Sequence, residues 1–351
     1  MDTKPYIQHN PKVGYIYSPD TCLDLHDPEG KSYRLTINQD GLRSNKRYSL
    51  SKPPHTFRIL AFGDSYCAGQ YLNNNDRFSE QMEKLCPGLE VLNFGLEGTG
   101  TDQQLLLFEH YGMRYDFDLV MVCPFIENIR RNMASYRVAL DPITGQLVLV
   151  PKPRFELVGD HLETLGVPVP AQKIPFKEAG PDLLAQTDFG GSNHNPSALG
   201  RIKDAANKIL VLSGLKNVIY RTIPHEPFPE YKNPSSPAWL LMAAILKHFK
   251  ELARAKPLVI VPLVYVSYMY YSMASHYIDR FRSLEENDGV YFIDTLPYFR
   301  RLLSHEIDRC FLANDCHYSF LGHGILARAL VAELKSRNLI PENGVPKCNC
   351  S

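Results

Sequence analysis

The stretch Phe57-Arg58-Ile59-Leu60-Ala61-Phe62-Gly63-Asp64-Ser65-Tyr66 decides how this chain folds. Its first six residues form a short apolar run broken by a single arginine, which suits a strand buried on both faces of a parallel sheet. Gly63 ends the run, and Asp64-Ser65 is a turn and helix-start pair. A serine there stands at the carboxyl end of a strand, where an open α/β sheet presents its ligand site.

Working outward, similar apolar runs recur at Leu89–Phe94, Asp118–Cys123, Leu258–Leu263 and Val290–Ile293. Helical patterns lie between and after them, at Phe78–Leu85, Asp102–Tyr111, Trp239–Ala255, Tyr277–Glu286 and Leu321–Lys335. Strands alternating with helices predict a doubly wound α/β sheet. Residues 1–55 are rich in turn formers and hold strand-like pieces such as Ser32–Asn38, so they read as an extension packed on the core. The core domain spans 56–338. Within it, residues 139–200 carry many prolines and a polar Gly-Gly-Ser-Asn-His-Asn-Pro-Ser run. They read as an insertion or lid region, which shapes substrate access in some proteins and is a plain surface excursion in others. Residues 339–351 form a tail.

The bulk numbers narrow the function classes. Thirty-eight basic and 38 acidic residues give zero formal charge, and Arg130-Arg131 is too short a basic cluster to mark a nucleic-acid binder. No basic segment followed by an apolar stretch opens the chain, and no apolar run approaches the length of a membrane span. The expectation is a soluble, cytoplasmic protein. The eight cysteines are scattered, as buried reduced thiols are, and Cys348-Asn349-Cys350 reads as part of a frayed tail.

Three further stretches bear on chemistry. Asp315-Cys316-His317 precedes the last helix, where a turn lets a carboxylate orient an imidazole and stabilise its cation. Asn93-Phe94-Gly95-Leu96-Glu97-Gly98 follows the second strand, and Glu127-Asn128 follows the third. A glycine N–H and an asparagine amide are suitable donors to the oxyanion of an acyl-transfer intermediate. Asp64 reads as a turn former or cap, and His323 as a packing or capping residue. His194 and His225 read as ordinary loop histidines, and Tyr265–Tyr271 as core and helix packing rather than a sugar platform. Zinc, nucleotide and dinucleotide motifs are missing, and Cys67 stands where an α/β-hydrolase elbow has its second glycine.

Together these motifs resemble the SGNH hydrolase superfamily, the GDSL esterases, over about residues 56–126 and 238–335 with Asn128 at the edge. The resemblance implies a flavodoxin-like three-layer α/β/α sandwich with a central parallel sheet. It also implies a serine hydrolase with Ser65 as nucleophile and His317 and Asp315 as the activating pair. The oxyanion donors it implies are Ser65, Gly98 and Asn128. Gly322-His323 is similar to the Gly-His pair that follows the family's Asp, and Asn38-Gln39-Asp40-Gly41-Leu42-Arg43 is similar to bacterial members. Two blocks depart from the family pattern. Ile126-Glu127-Asn128-Ile129 stands where Gly-x-Asn-Asp is usual. Asp315 is separated from His317 by one residue instead of two, and the strict position holds the uncharged Asn314.

The implied activity is removal of small acyl groups, acetyl above all, from a carbohydrate or related small molecule, with no metal or cofactor. The alternatives are an O-acyltransferase using the same triad, and a binding protein that kept the fold without the chemistry. The oligomeric state is left open.

Overall fold

The computed structural model describes residues 6–141, 144–188, 228–270, 276–285 and 289–341. At its centre lies a five-stranded sheet made of β1 (Phe57–Gly63), β2 (Leu89–Asn93), β3 (Leu119–Cys123), β4 (Leu258–Ile260) and β5 (Val290–Phe292). The spatial order is β5-β4-β3-β1-β2 and every pairing is parallel. Register is fixed by pairs such as Ile59 with Val91, Gly63 with Cys123, and Val122 with Ile260. This is the flavodoxin-like order, in which the chain leaves β1 toward one edge and returns on its other side.

The strands are apolar because both faces are covered. All five residues of β3 are buried, and so is every residue of β1 after Phe57. The helices that cover them are α2 (Phe78–Leu85), α3 (Thr101–His110), α5 (Pro237–Ala253) and α6 (Phe320–Ser336), with two single turns, α1 (Ser65–Ala68) and α4 (Asn128–Arg131), at the strand ends. α2 packs against α6, and α3 against α5. The direction reversal after β2 puts these two pairs on opposite faces, giving a three-layer α/β/α sandwich. On the α3–α5 face Phe62 packs on Phe94, Phe108 and Phe249, with ring centroids 4.9, 5.2 and 5.7 Å away.

The apolar runs mark every central strand; β1 runs one residue further, to Gly63, and the other four are one to three residues shorter than their runs. The predicted fourth strand stops at Ile260 because Pro262 has no N–H for the ladder, and pairing resumes only as a bridge between Phe125 and Leu263. The predicted helix 277–286 spans His276–Arg282, and Glu286 lies outside the described residues.

Before the sheet, the chain forms two antiparallel hairpins, Ile7–Asn10 with Gly14–Tyr17 and Thr21–His26 with Ser32–Ile37. Arg43 then reaches into the core. It is buried and donates to the carbonyls of Ala68, Gly69 and Leu72 and to Asn74 Oδ1, the segment that leaves α1. After β3, Tyr136–Leu140, Leu147–Pro151 and Ile174–Pro175 make a small antiparallel sheet, and Arg154–Val158 pairs with His161–Leu165. Lys152 anchors this region by pairing with buried Asp102 at the start of α3 and donating to the carbonyls of Arg131 and Ala134 at 3.1 Å.

Candidate active site

The reversal between β1 and β3 opens a crevice beyond their carboxyl ends, and α1 and α4 begin there. Gly63 is held to glycine by crowding: a Cβ there would sit 2.3 Å from Cys67 Cβ and 2.9 Å from the Cys123 carbonyl. The backbone therefore turns sharply off the strand. Asp64 caps α1, its Oδ1 accepting the Tyr66 N–H at 3.0 Å. Ser65 is the first residue of that turn, so its N–H has no carbonyl one turn back to bond.

Asp64 is fully buried, and burial pushes its carboxyl above the usual range although Arg131 and the Tyr66 N–H oppose the shift. Arg131 Nη1 donates to Asp64 Oδ2 at 2.8 Å and its Nη2 to Glu127 Oε1 at 3.3 Å. Glu127 also accepts the Tyr265 hydroxyl. Burial works against the Glu127 charge, but Arg131 and Tyr265 outweigh it and hold the carboxyl low. Two acids from different loops thus share one guanidinium beneath the serine.

The histidine arrives from the far end of the chain. The Leu312 N–H donates to the His317 carbonyl at 3.0 Å, Phe311 bridges Tyr318, and the Ser319 N–H donates to the Cys310 carbonyl at 2.8 Å. Gly322 permits this closure, since a Cβ there would lie 2.2 Å from the Cys310 oxygen. Within the closed loop Asp315 Oδ1 accepts both the His317 backbone N–H at 2.9 Å and its ring Nδ1–H. A carboxylate only accepts, so Nδ1 carries the proton and Nε2 is left as the acceptor. Nε2 lies 2.7 Å from Ser65 Oγ. Burial alone would raise the Asp315 carboxyl, but the His317 hydrogen bonds and charge hold it below its ordinary value.

Tyr66 ties the two halves together. Its hydroxyl donates to the Cys316 carbonyl at 2.8 Å, and its ring stacks on Phe125 at 4.2 Å and lies 4.8 Å from the His317 ring. Tyr71 meets His317 edge-on from another side, with centroids 5.6 Å apart.

Ser65, His317 and Asp315 therefore come together in series. Gly98 and Asn128 stand at the ends of the flanking strands. Gly98 adopts φ +74° in a turn closed by the Thr99 N–H on the Leu96 carbonyl. Arg137 lies directly over it, donating to the Glu97 carbonyl at 3.2 Å and to the Tyr15 hydroxyl at 3.1 Å, and leaves no room for a Cβ. Asn128 opens α4, fully buried, and among the described residues neither polar atom of its side-chain amide has a hydrogen-bond partner.

Other sequence expectations find their places. His323 is buried against Phe78, and its Nδ1 accepts the Phe78 N–H at 3.1 Å at the start of α2. Cys67, Cys86, Cys123 and Cys310 are buried free thiols, whereas Cys22 and Cys316 are exposed. Asp315, Cys316 and His317 offer ligand atoms within 4.8 Å of one another, but the carboxylate and Nδ1 already hold each other. His194, His225, Tyr271, Cys348 and Cys350 lie outside the described residues. The contacts of Arg131, Tyr66 and Tyr71 are not visible in the sequence: the basic pair at 130–131 stands out, but the Asp64 that Arg131 holds lies 67 positions away.

The chain is similar in fold to several solved lipolytic and esterase structures. One is a lipolytic G-D-S-L family protein from Veillonella parvula, at 9% identity, covering 80% of this chain and 100% of that one with a TM-score of 0.41. A second is a catalytic mutant of Axe2, an acetylxylan esterase from Geobacillus stearothermophilus, at 13% identity, 81% and 96% coverage and a TM-score of 0.42. A third is LAE5, an alpha/beta hydrolase enzyme from the Lake Arreo metagenome, at 11% identity, 80% and 95% coverage and a TM-score of 0.41. No protein-family model matches the chain, and no curated protein matches it. Among the described residues no helix is long and apolar enough to cross a membrane.

Proposed function

We propose that this chain is a serine hydrolase of carboxylic esters that removes a small acyl group, acetyl above all, from a carbohydrate or related small molecule. The observation that carries this reading is the unbroken series of Ser65 Oγ, His317 Nε2, His317 Nδ1 and Asp315 Oδ1. Ser65 Oγ attacks the ester carbonyl carbon while its proton passes to Nε2, and Asp315 stabilises the imidazolium through Nδ1–H. The tetrahedral intermediate collapses as its ester C–O bond breaks, and the departing alkoxide takes the proton from Nε2. Water, deprotonated by the same imidazole, then resolves the acyl-serine.

The developing oxyanion meets the N–H groups of Ser65 and Gly98 and the Asn128 amide. Two features support this set. The Ser65 N–H opens α1 with no helical partner, and the Asn128 amide is a buried donor without an acceptor. A buried unsatisfied polar group costs about 1–3 kcal/mol, so folds seldom keep one without a use for it.

The test is fluorophosphonate labelling of the intact chain with peptide mapping, run beside hydrolysis of a short-chain aryl ester. Label on Ser65, and loss of both label and turnover in Ser65→Ala and His317→Ala, is expected. A folded wild-type protein that takes no label, or a Ser65→Ala variant with wild-type turnover, overturns the assignment. Faster release of acyl to a sugar hydroxyl than to water would reassign the same apparatus to acyl transfer.

A further inference from the structure

Beside His317, the second N-terminal hairpin, the segment after α1 and the loop after β2 bring together residues that the triad does not use. Tyr33, from Ser32–Ile37, packs edge-to-face on Tyr71 at 6.2 Å and 89°, and Tyr71 in turn meets the His317 ring at 81°. Tyr71 holds φ +69°, a left-handed conformation that costs a non-glycine residue about 1 kcal/mol or more. Tyr6 donates to Glu97 Oε2 at 3.2 Å, and Glu97 immediately precedes Gly98. Tyr6, Tyr33, Tyr71 and Glu97 are all half-buried. Among the described residues no lysine or arginine lies within 4 Å of the Glu97 carboxylate, which accepts the Tyr6 hydroxyl and keeps further accepting capacity. Its field is felt locally: burial and then the Glu97 charge push the Tyr33 hydroxyl up to about 12.

We infer that Tyr33, Tyr71 and Glu97 form a subsite for the alcohol part of the ester, and that the group it takes is a neutral sugar ring. Two half-buried aromatic rings at a right angle offer a flat face to the ring's C–H bonds, and two rings do not make the enclosing box that surrounds an ammonium. Glu97 accepts hydrogen bonds from ring hydroxyls, and its charge disfavours anionic sugars. Tyr33 belongs to the N-terminal hairpin, so that segment supplies part of the substrate site. This inference rests on the hydrolase reading of Ser65 for its kinetics but not for its binding.

The test uses Tyr33→Ala and Glu97→Gln in the full chain, with a monoacetylated methyl glucoside and ethyl acetate as substrates. Each variant should lose at least tenfold more kcat/KM on the glucoside ester than on ethyl acetate, mostly through KM. Methyl glucoside itself, titrated onto Ser65→Ala and followed by saturation-transfer NMR, should bind at least tenfold more weakly once either change is added. Equal losses on both esters, or unaltered glucoside binding, overturn the subsite. Preference for acetylcholine over the glucoside ester replaces the sugar with a cation. If the wild type hydrolyses neither ester and takes no fluorophosphonate, the hydrolase reading fails, while the binding titration still decides the subsite.

Discussion

Replacing Arg131 with methionine removes the only cation within 4 Å of Asp64 among the described residues, and the cost follows from what stays behind. The Asp64 carboxylate is fully buried next to Ser65, held by Arg131 at 2.8 Å and by the Tyr66 N–H at 3.0 Å. Methionine keeps most of the apolar stem, so the packing loss is small and the charge loss dominates. Breaking a buried ion pair by removing one partner costs about 3–5 kcal/mol, because the remaining charge has no water to return to. Burial already lifts the Asp64 pKa with Arg131 in place, and without the guanidinium it rises further. A carboxyl whose folded pKa exceeds its unfolded value takes up a proton on folding. Its penalty is therefore absent below the unfolded pKa, grows by about 1.4 kcal/mol per pH unit as pH rises, and levels off above the folded pKa. Urea unfolding of wild type and Arg131→Met at pH 5, 6.5 and 8 reads this directly from the midpoint at constant slope. The deficit should be smallest at pH 5 and reach several kcal/mol at pH 8. Glu127 also loses Arg131, so Asp64→Asn in the Arg131→Met background separates the two acids: it should recover part of the deficit and flatten its pH dependence. A deficit under about 1 kcal/mol at pH 8, with no trend from pH 5, refutes the reasoning.

Three further outcomes test other parts of the site. Asn128→Ala should lower kcat on an activated ester by about 10²–10³ if its amide meets the oxyanion, with little change in KM; a loss under fivefold removes it from that role. Gly98→Ala forces a Cβ into a left-handed residue and displaces the Arg137 guanidinium, so it should lose about 1–3 kcal/mol of stability together with activity, measured by urea midpoint and ester turnover. The third concerns His323, whose pKa burial, with Arg77 and Arg43, pushes down to about 3. The unfolded chain binds that proton first, so stability is full above the unfolded value near 6.5 and falls by about 1.4 kcal/mol per pH unit between roughly 6.5 and 3. His323→Gln should flatten that part of the stability profile relative to wild type, and an unchanged slope contradicts it.

What was legible in the sequence is what depends on local pattern. A strand buried on both faces must be apolar along most of its length, so β1 to β3 stand out, and Gly63 marks the turn that ends β1. The ends of β4 were harder because Val261-Pro262-Leu263 stays apolar while the ladder stops. The strands within 136–175 carry charged and proline-rich stretches with no clean two-residue period, so a turn-rich insertion was all their composition conveyed. The meeting of Ser65, His317 and Asp315 was legible only through a resemblance of motifs. Nothing in Asp315-Cys316-His317 alone says that its imidazole meets a hydroxyl 252 positions away.

The residues that escaped the sequence share a physical character: each acts through a partner that folding alone brings near. Arg131 looked like half of a trivial basic pair, yet it is the shared counter-charge for Asp64 and Glu127. Tyr66 looked like no more than the residue after Ser65, yet its hydroxyl holds the Cys316 carbonyl from 250 positions away and its ring supports His317. Arg43 closes a third such link, from the N-terminal segment to the carbonyls leaving α1. These contacts fix the serine from below, the histidine from the side and the following loop from behind. A catalytic series loses rate steeply when its atoms move by about 1 Å, so holding it on several independent buried contacts matters as much as the series itself. Changes at Arg131, Tyr66 and Arg43 should thus reach activity through the placement of Ser65 and His317, although none of the three needs to touch substrate.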